Sequence, residues 1–139
     1  MKKIALMLVL FSSIALTSLA QTADSLKVET SEIKFNSTEI DYGVITKGAD
    51  GERVFEFTNT GKQPLVLSNV SASCGCTVVE WVKDPIKPGD KGSFKVKYNT
   101  NIVGTFHKVI RVFSNAPQSP VMLTIKGEVK PSEEGTSQN

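Results

Sequence analysis

Few residues in this chain can carry chemistry on their own. Its 139 positions hold two cysteines, one histidine, one tryptophan and three methionines. A single histidine cannot provide the two that a blue-copper centre takes, and two cysteines plus one histidine fall short of the four ligands of a closed zinc site. There is no Gly-x-Ser-x-Gly elbow, no phosphate-cradling glycine loop and no His-Glu-x-x-His. The adjacent carboxylates Glu133 and Glu134 stand in a polar C-terminal run, not among apolar residues that would shape a site. After residue 20 no stretch is apolar for long enough to cross a bilayer, and none keeps a helical period. No enzymatic activity and no cofactor are expected from this inventory.

The one long apolar run is at the start. Lys2 and Lys3 precede Ile4 to Leu16, broken only by Ser12 and Ser13, and Ser18-Leu19-Ala20 supplies the small residues that signal peptidase accepts. Residues 1–20 are therefore expected to be a signal peptide cleaved near Ala20. No cysteine follows at which a lipid could be attached, so a chain exported to the periplasm or beyond, without a membrane span, is expected. The whole sequence has 16 basic and 14 acidic residues, and loss of Lys2 and Lys3 leaves 14 of each. That balance argues against electrostatic binding to nucleic acid or to an anionic membrane.

Beyond residue 20 the dominant pattern is alternation. In Val54-Phe55-Glu56-Phe57-Thr58, Phe94-Lys95-Val96-Lys97-Tyr98 and Val121-Met122-Leu123-Thr124-Ile125-Lys126, apolar residues recur at every second position. Side chains of a strand point alternately to opposite faces, so each segment offers one apolar face to a core. Glu32–Phe35, Glu39–Tyr42, Leu65–Val70, Thr77–Val79 and Phe106–Phe113 complete about seven to eight short strands. Asn59-Thr60-Gly61 and Lys87-Pro88-Gly89-Asp90 are read as turns that use positive or fixed φ. Many short antiparallel strands with such turns predict an all-β, immunoglobulin-like antiparallel β-sandwich over residues 32–129. Residues 21–31 read as a linker and 130–139 as a disordered tail. Phe55, Phe57, Leu67, Phe94, Val96, Ile110, Val112, Leu123 and Ile125 are the expected core.

Several short motifs occur in a fixed order: Asp41-Tyr42-Gly43, Phe55-Glu56-Phe57-Thr58-Asn59-Thr60-Gly61, Pro64-Leu65, Ser73-Cys74-Gly75-Cys76-Thr77, Trp81, Pro88-Gly89 and Ser114-Asn115. In this order they resemble the bacterial domain of unknown function 1573 family, over nearly all of residues 32 to 129. The resemblance implies an immunoglobulin-like sandwich similar to the Asn-Thr-Gly-bearing modules of Hydin-type ciliary proteins, and export from Bacteroidetes-like bacteria. It implies no activity. Asp24-Ser25-Leu26 also resembles the Asp-Ser/Thr-apolar acceptor that such bacteria use for O-glycosylation, which makes Ser25 a candidate modification site.

Cys74 and Cys76 are the candidate site residues. On a flat strand residues i and i+2 share a face with Cα atoms about 6.6 Å apart, whereas a relaxed disulfide takes about 5.5 to 6 Å. A bridge would need a kink, for which Gly75 is suited. The ring it closes is too small to remove much entropy from the unfolded chain. Three readings follow: core cysteines, reduced or bridged, that merely pack at a strand end beside Ala72 and Val78, a labile disulfide, or a pair of thiolates that chelate a soft metal such as Cu(I). His107, beside Lys108, fits a surface position better than a base for Cys74. Asp41 fits a turn and Trp81 a packing role. Two classes of function remain: an interaction or scaffold module whose partner is another exported protein or envelope component, and a thiol-redox or copper-handling protein built on Cys74-Gly75-Cys76.

Overall fold

The computed structural model describes residues 28–133. The expected signal peptide, Ser25 and residues 134–139 of the tail lie outside the described residues. Eight strands run in order: β1 (Ile33–Phe35), β2 (Glu39–Thr46), β3 (Glu52–Asn59), β4 (Leu67–Ala72), β5 (Thr77–Trp81), β6 (Lys91–Tyr98), β7 (Gly104–Ser114) and β8 (Val121–Lys130). They build two four-stranded sheets, β1-β3-β6-β5 and β2-β8-β7-β4. Every pairing is antiparallel except that of β2 with β8. This is the two-sheet, all-β sandwich that the alternation predicts.

The alternating residues meet between the sheets. All nine residues expected in the core are at most 2% exposed, and Phe55 stacks on Phe94 with ring centroids 5.5 Å apart. Tyr98 stacks on Phe106 at 3.8 Å, and Tyr42 meets Phe106 edge-on at 5.2 Å. Leu65, Val70, Tyr98, Phe106 and Val129 extend this core further than the alternation alone indicated. Burying such side chains is the main favourable term in folding a domain of this size.

Asn59, at the end of β3, is fully buried. Its Oδ1 accepts from the backbone N–H groups of Glu32 (3.3 Å) and Gly61 (3.0 Å). Its Nδ2 donates to the carbonyls of Gln63 (2.8 Å) and Ile86 (2.9 Å). One side chain thus fixes the entry to β1, the turn after β3 and the approach to β6. Asn115 does the same at the end of β7: its Oδ1 accepts from the Val66 N–H and the Ser31 hydroxyl, and its Nδ2 donates to the Pro64 carbonyl.

Two sequence expectations change here. Gly61 does not occupy a positive-φ position, unlike Gly43, Gly48, Gly89 and Gly104. It is glycine because a Cβ there would collide with the backbone of Thr30 to Glu32. Those residues also shift the start of the ordered domain: Ser31, read as linker, is buried and hydrogen-bonded to Asn115, and the Thr30 carbonyl accepts from the Lys62 N–H.

Replacing Phe57 with Ala is expected to cost about 3 to 5 kcal/mol, as for other buried large-to-small changes; a urea titration showing a loss below about 0.5 kcal/mol would put Phe57 on the wrong face. A second expectation concerns alkaline pH. Burial pushes the Tyr42 phenol up to about 12, against the nearby Arg53 guanidinium, which pulls it down, and with Asp50, which raises it. Its hydroxyl donates to the Gly51 carbonyl at 2.8 Å. Because the folded value lies above the unfolded value near 10, the stabilisation is complete below about pH 10 and is lost as the pH climbs toward about 12. Chemical denaturation across that window should show stability falling with pH in the native protein and a shallower fall in Tyr42→Phe.

Candidate functional site

The two cysteines sit where the chain changes sheets. β4 runs along one edge of its sheet to Ala72, β5 opens at Thr77 on the edge of the other sheet, and Ser73 to Cys76 joins them. Ser73 continues the ladder for one more step, its N–H donating to the Val109 carbonyl (2.9 Å) and its Oγ accepting from the Val109 N–H (3.2 Å). The chain then turns: the Thr77 N–H donates to the Cys74 carbonyl and the Asn99 N–H to the Cys76 carbonyl. This corner brings the Cα atoms of Cys74 and Cys76 to 5.3 Å, and their sulfurs are bonded to each other. Both residues are half-buried, and Cys76 packs against the core.

The bend has a different origin from the one anticipated. Gly75 has no left-handed φ, and a Cβ built on it meets nothing within 4 Å. The passage from one sheet to the other bends the chain, so the turn does not depend on glycine. With each sulfur bonded to the other, neither is a thiolate available to a cation in this form. The described residues contain no group of three or more His, Cys, Asp or Glu side chains placed to share a metal ion.

The other candidates separate in space. His107 is exposed on the outer face of its sheet, opposite Lys126 on β8, and is not brought to Cys74 as a base. Asp41 shapes a turn, its Oδ1 accepting from the Gly43 N–H at 2.7 Å where Gly43 takes a φ of 64°. Trp81 is half-buried against the core, with the Lys83 ammonium 5.8 Å from its ring centroid.

A second feature was not legible in sequence. The four edge strands are not alike: β1 has three residues, and β2 and β4 both carry irregularities in register. β5 is regular along its five residues and pairs only with β6. Short or bulged edges are how sheets avoid pairing with foreign strands, and β5 has neither protection. Since the Cys76 carbonyl is bonded toward β6, antiparallel alternation turns the N–H and C=O groups of Val79 and Trp81 away from it, to the open side. The two buried side-chain polar atoms without a partner among the described residues, Thr77 Oγ1 and Trp81 Nε1, are also on β5. Beside the strand lies a shallow groove of about 330 Å³ lined by Glu80, Trp81, Val82, Ser93, Phe94 and Lys95. A hydrogen bond from Lys95 to Glu52 holds its ammonium above the ordinary lysine range. The sequence showed β5 as a strand only to Val79, and nothing local marks an edge, because that position follows from topology.

Residues 33–129 match a family described as protein of unknown function (DUF1573). The chain belongs to this family. Among solved structures, a protein of unknown function from Porphyromonas gingivalis W83 superposes with a TM-score of 0.65 at 22% identity, over 72% of this chain and 47% of that one. The DUF1573 chain therefore spans just under half of that protein. The seventh ASH/PapD-like domain of human CEP192 gives 0.63 at 9% identity, over 75% of this chain and 89% of that domain. A chain of the CsuC–CsuE chaperone–tip adhesion subunit complex of Acinetobacter baumannii gives 0.54 at 11%, over 71% and 57%. At these identities the likeness shows the fold, an immunoglobulin-like sandwich of the ASH/PapD-like kind. No curated protein matches the sequence.

The corner disulfide closes so small a loop that it constrains the unfolded chain little. Replacing both Cys74 and Cys76 with Ser is expected to lower the melting temperature by no more than about 4 °C, which is the shift that about 1 kcal/mol produces in a domain of this size. A drop above about 10 °C in calorimetry would make the pair a structural staple.

Proposed function

We propose that this DUF1573 chain is an exported, non-enzymatic interaction module that binds another exported protein or envelope component by strand addition at β5. The observation that carries this reading is the condition of that edge: regular, unpaired on one side, and bordered by an apolar groove. An added strand would meet the free backbone groups of Val79 and Trp81, and its side chains would reach the groove beside Trp81 and Phe94. Main-chain hydrogen bonds then give affinity, and the groove selects among side chains. Val82, 63% exposed at the end of the strand, extends the same apolar surface.

Export is supported by Lys2, Lys3, the apolar run from Ile4 to Leu16 and Ser18-Leu19-Ala20. The balance of charge left without Lys2 and Lys3 supports a protein partner over nucleic acid or an anionic surface. One structure of the same fold, CsuC–CsuE, is itself a complex between a chaperone and an adhesion subunit. The non-enzymatic reading is supported by a family description that names no activity.

A photo-reactive amino acid placed at Val82 in the native host should give a discrete cross-linked adduct to one envelope or secreted protein, identifiable by mass spectrometry. The same group at Val44, which is 61% exposed on β2 of the other sheet, should give none. Equal adducts at both positions, or no adduct at Val82, would remove β5 as the docking edge.

A further inference from the structure

On β7 the inward-facing row reads Phe106, Lys108, Ile110 and Val112. Phe106, Ile110 and Val112 are buried, and Lys108 interrupts them as a half-buried cation opposite the fully buried Ile125 of β8. No carboxylate lies within ion-pair distance of it among the described residues, where the ion pairs involve Lys62, Lys95 and Lys126. A lysine stem can cover apolar surface while its ammonium reaches water, but an aliphatic residue would fill the place as well, so packing alone gives no reason for the charge.

The ladder supplies one. Ala72 pairs with Ile110, and Ser73 is hydrogen-bonded to Val109. The next residues in the same register are Cys74 and Lys108, both from the row that faces inward. Continued by one residue past the end of β4, that register sets Lys108 of β7 beside Cys74 at the corner. A second observation lies on the far side of the pair: Thr77, next to Cys76, has a buried hydroxyl with no partner. Register on one side and sequence on the other thus set a lysine and a hydroxyl without a partner next to two sulfurs that need neither while they are bonded to each other, and both when they become thiolates.

We propose that Cys74 and Cys76 form a thiol–disulfide exchange site for dithiol partners, with Lys108 as the positioning residue that stabilises negative charge at Cys74. The proposal stands apart from strand addition at β5 and does not rest on it. A thiolate of the partner attacks Cys74 Sγ, since Cys76 is the sulfur packed against the core. A bond forms between the partner sulfur and Cys74, the Cys74–Cys76 bond breaks, and its electron pair leaves on Cys76, which takes a proton from water. The partner's second thiolate then attacks its own bridged sulfur, closing the partner's disulfide and expelling the Cys74 thiolate. The protein gains two electrons and the dithiol loses two, so the disulfide passes to the partner; the reverse sequence, starting from the reduced pair, opens a disulfide of an oxidised partner. Charge rests on Cys74 when it is expelled in the second step and when, in the reverse direction, it is the attacking thiolate; a neighbouring cation favours that thiolate. The other ionisable groups on the elements around the corner are His107 and Arg111 on β7, Lys126, Glu128 and Lys130 on β8, Lys91, Lys95 and Lys97 on β6 and Glu80 on β5, all from the outer rows, and Tyr98 from the inward row of β6. β4 and the corner itself, Leu67 to Cys76, bring none beyond the cysteines, and neither does the segment from Asn99 to Val103.

The test uses the purified domain and dithiothreitol as the dithiol. In the native protein the disulfide should open at pH 7 while circular dichroism stays that of the folded domain. Lys108→Met, which keeps the aliphatic stem, should slow opening about ten-fold, and Lys108→Arg should restore it to within about three-fold, because a cation next to a thiol lowers its pKa by a unit or more. In the reduced protein the pH midpoint of iodoacetamide alkylation should rise in Lys108→Met and hold in Lys108→Arg, a pattern that lost packing alone would not produce. Where the Met variant does not fold, Lys108→Gln carries the same comparison. Equal rates and midpoints in all variants would overturn the role of Lys108, and a disulfide that opens only on unfolding would overturn the exchange site.

Discussion

The buried side chain of Asn59 is the constraint on which the rest of the sandwich depends. Its carboxamide has two donors and two acceptor lone pairs, and the four bonds it makes use all of them. Its partners are backbone groups from three parts of the chain: Glu32, the turn that holds Gly61 and Gln63, and Ile86. Apolar burial brings two sheets together without saying how their strands connect, whereas a fully satisfied buried amide allows only one arrangement of its neighbours. The geometry leaves room for little else, since Gly61 closes so tightly on Thr30 to Glu32 that no side chain fits there. Asn115, an exposed side chain, ties Ser31, Pro64 and Val66 together with three bonds of its own. The family motifs around these residues are thus accounted for by the fold, which is why they identify the architecture well and say little of chemistry.

What could be read from the sequence divides along the range of the physical effect. Alternation acts on neighbouring residues, so Phe55 and Phe57, Phe94 and Val96, or Leu123 and Ile125 declare their inward face without knowledge of their partners. Leu65 does not, because it is buried beside an isolated bridge to Ile86 and not within an alternating strand. Gly61 illustrates the same limit from the other direction: the sequence marked a special position, but the reason is a close approach of distant backbone and not a local turn conformation. Nothing in the residues next to Ser31 marks it as part of the domain, because the side chain that bonds it, Asn115, lies 84 residues away.

The candidate site was legible as a pair of sulfurs and no further. That Cys74 and Cys76 lie at a crossing between sheets, that β5 is an open edge, and that Lys108 comes next to the corner all follow from how β4, β5, β6 and β7 are ordered. In one dimension Lys108 is simply a polar residue breaking an apolar run, and such a break reads as a surface position. Only the unshifted register of β7 against β8 assigns it to the inward row. His107 shows the converse, since its exposed place one residue earlier makes it an ordinary surface side chain.

The corner and the open edge share a strand, and the way that strand is held decides how independent they are. β4 and β5 form a hairpin split between the two sheets, tied at one end by the Leu65–Ile86 bridge with two backbone bonds of 2.8 Å, and at the other by the turn through Cys74 and Cys76. The bridge end is anchored further by Asn59, which bonds Ile86, and by Asn115, which bonds Pro64 and Val66. At the turn end, the backbone bonds from Ser73 to Val109 and from Asn99 to Cys76 hold the chain independently of the sulfurs. A covalent link at a point already fixed by hydrogen bonds adds little to stability, because the freedom it would remove has been removed before. The proposed exchange at the disulfide therefore acts on a point of the chain that the backbone bonds of Ser73 and Cys76 already hold.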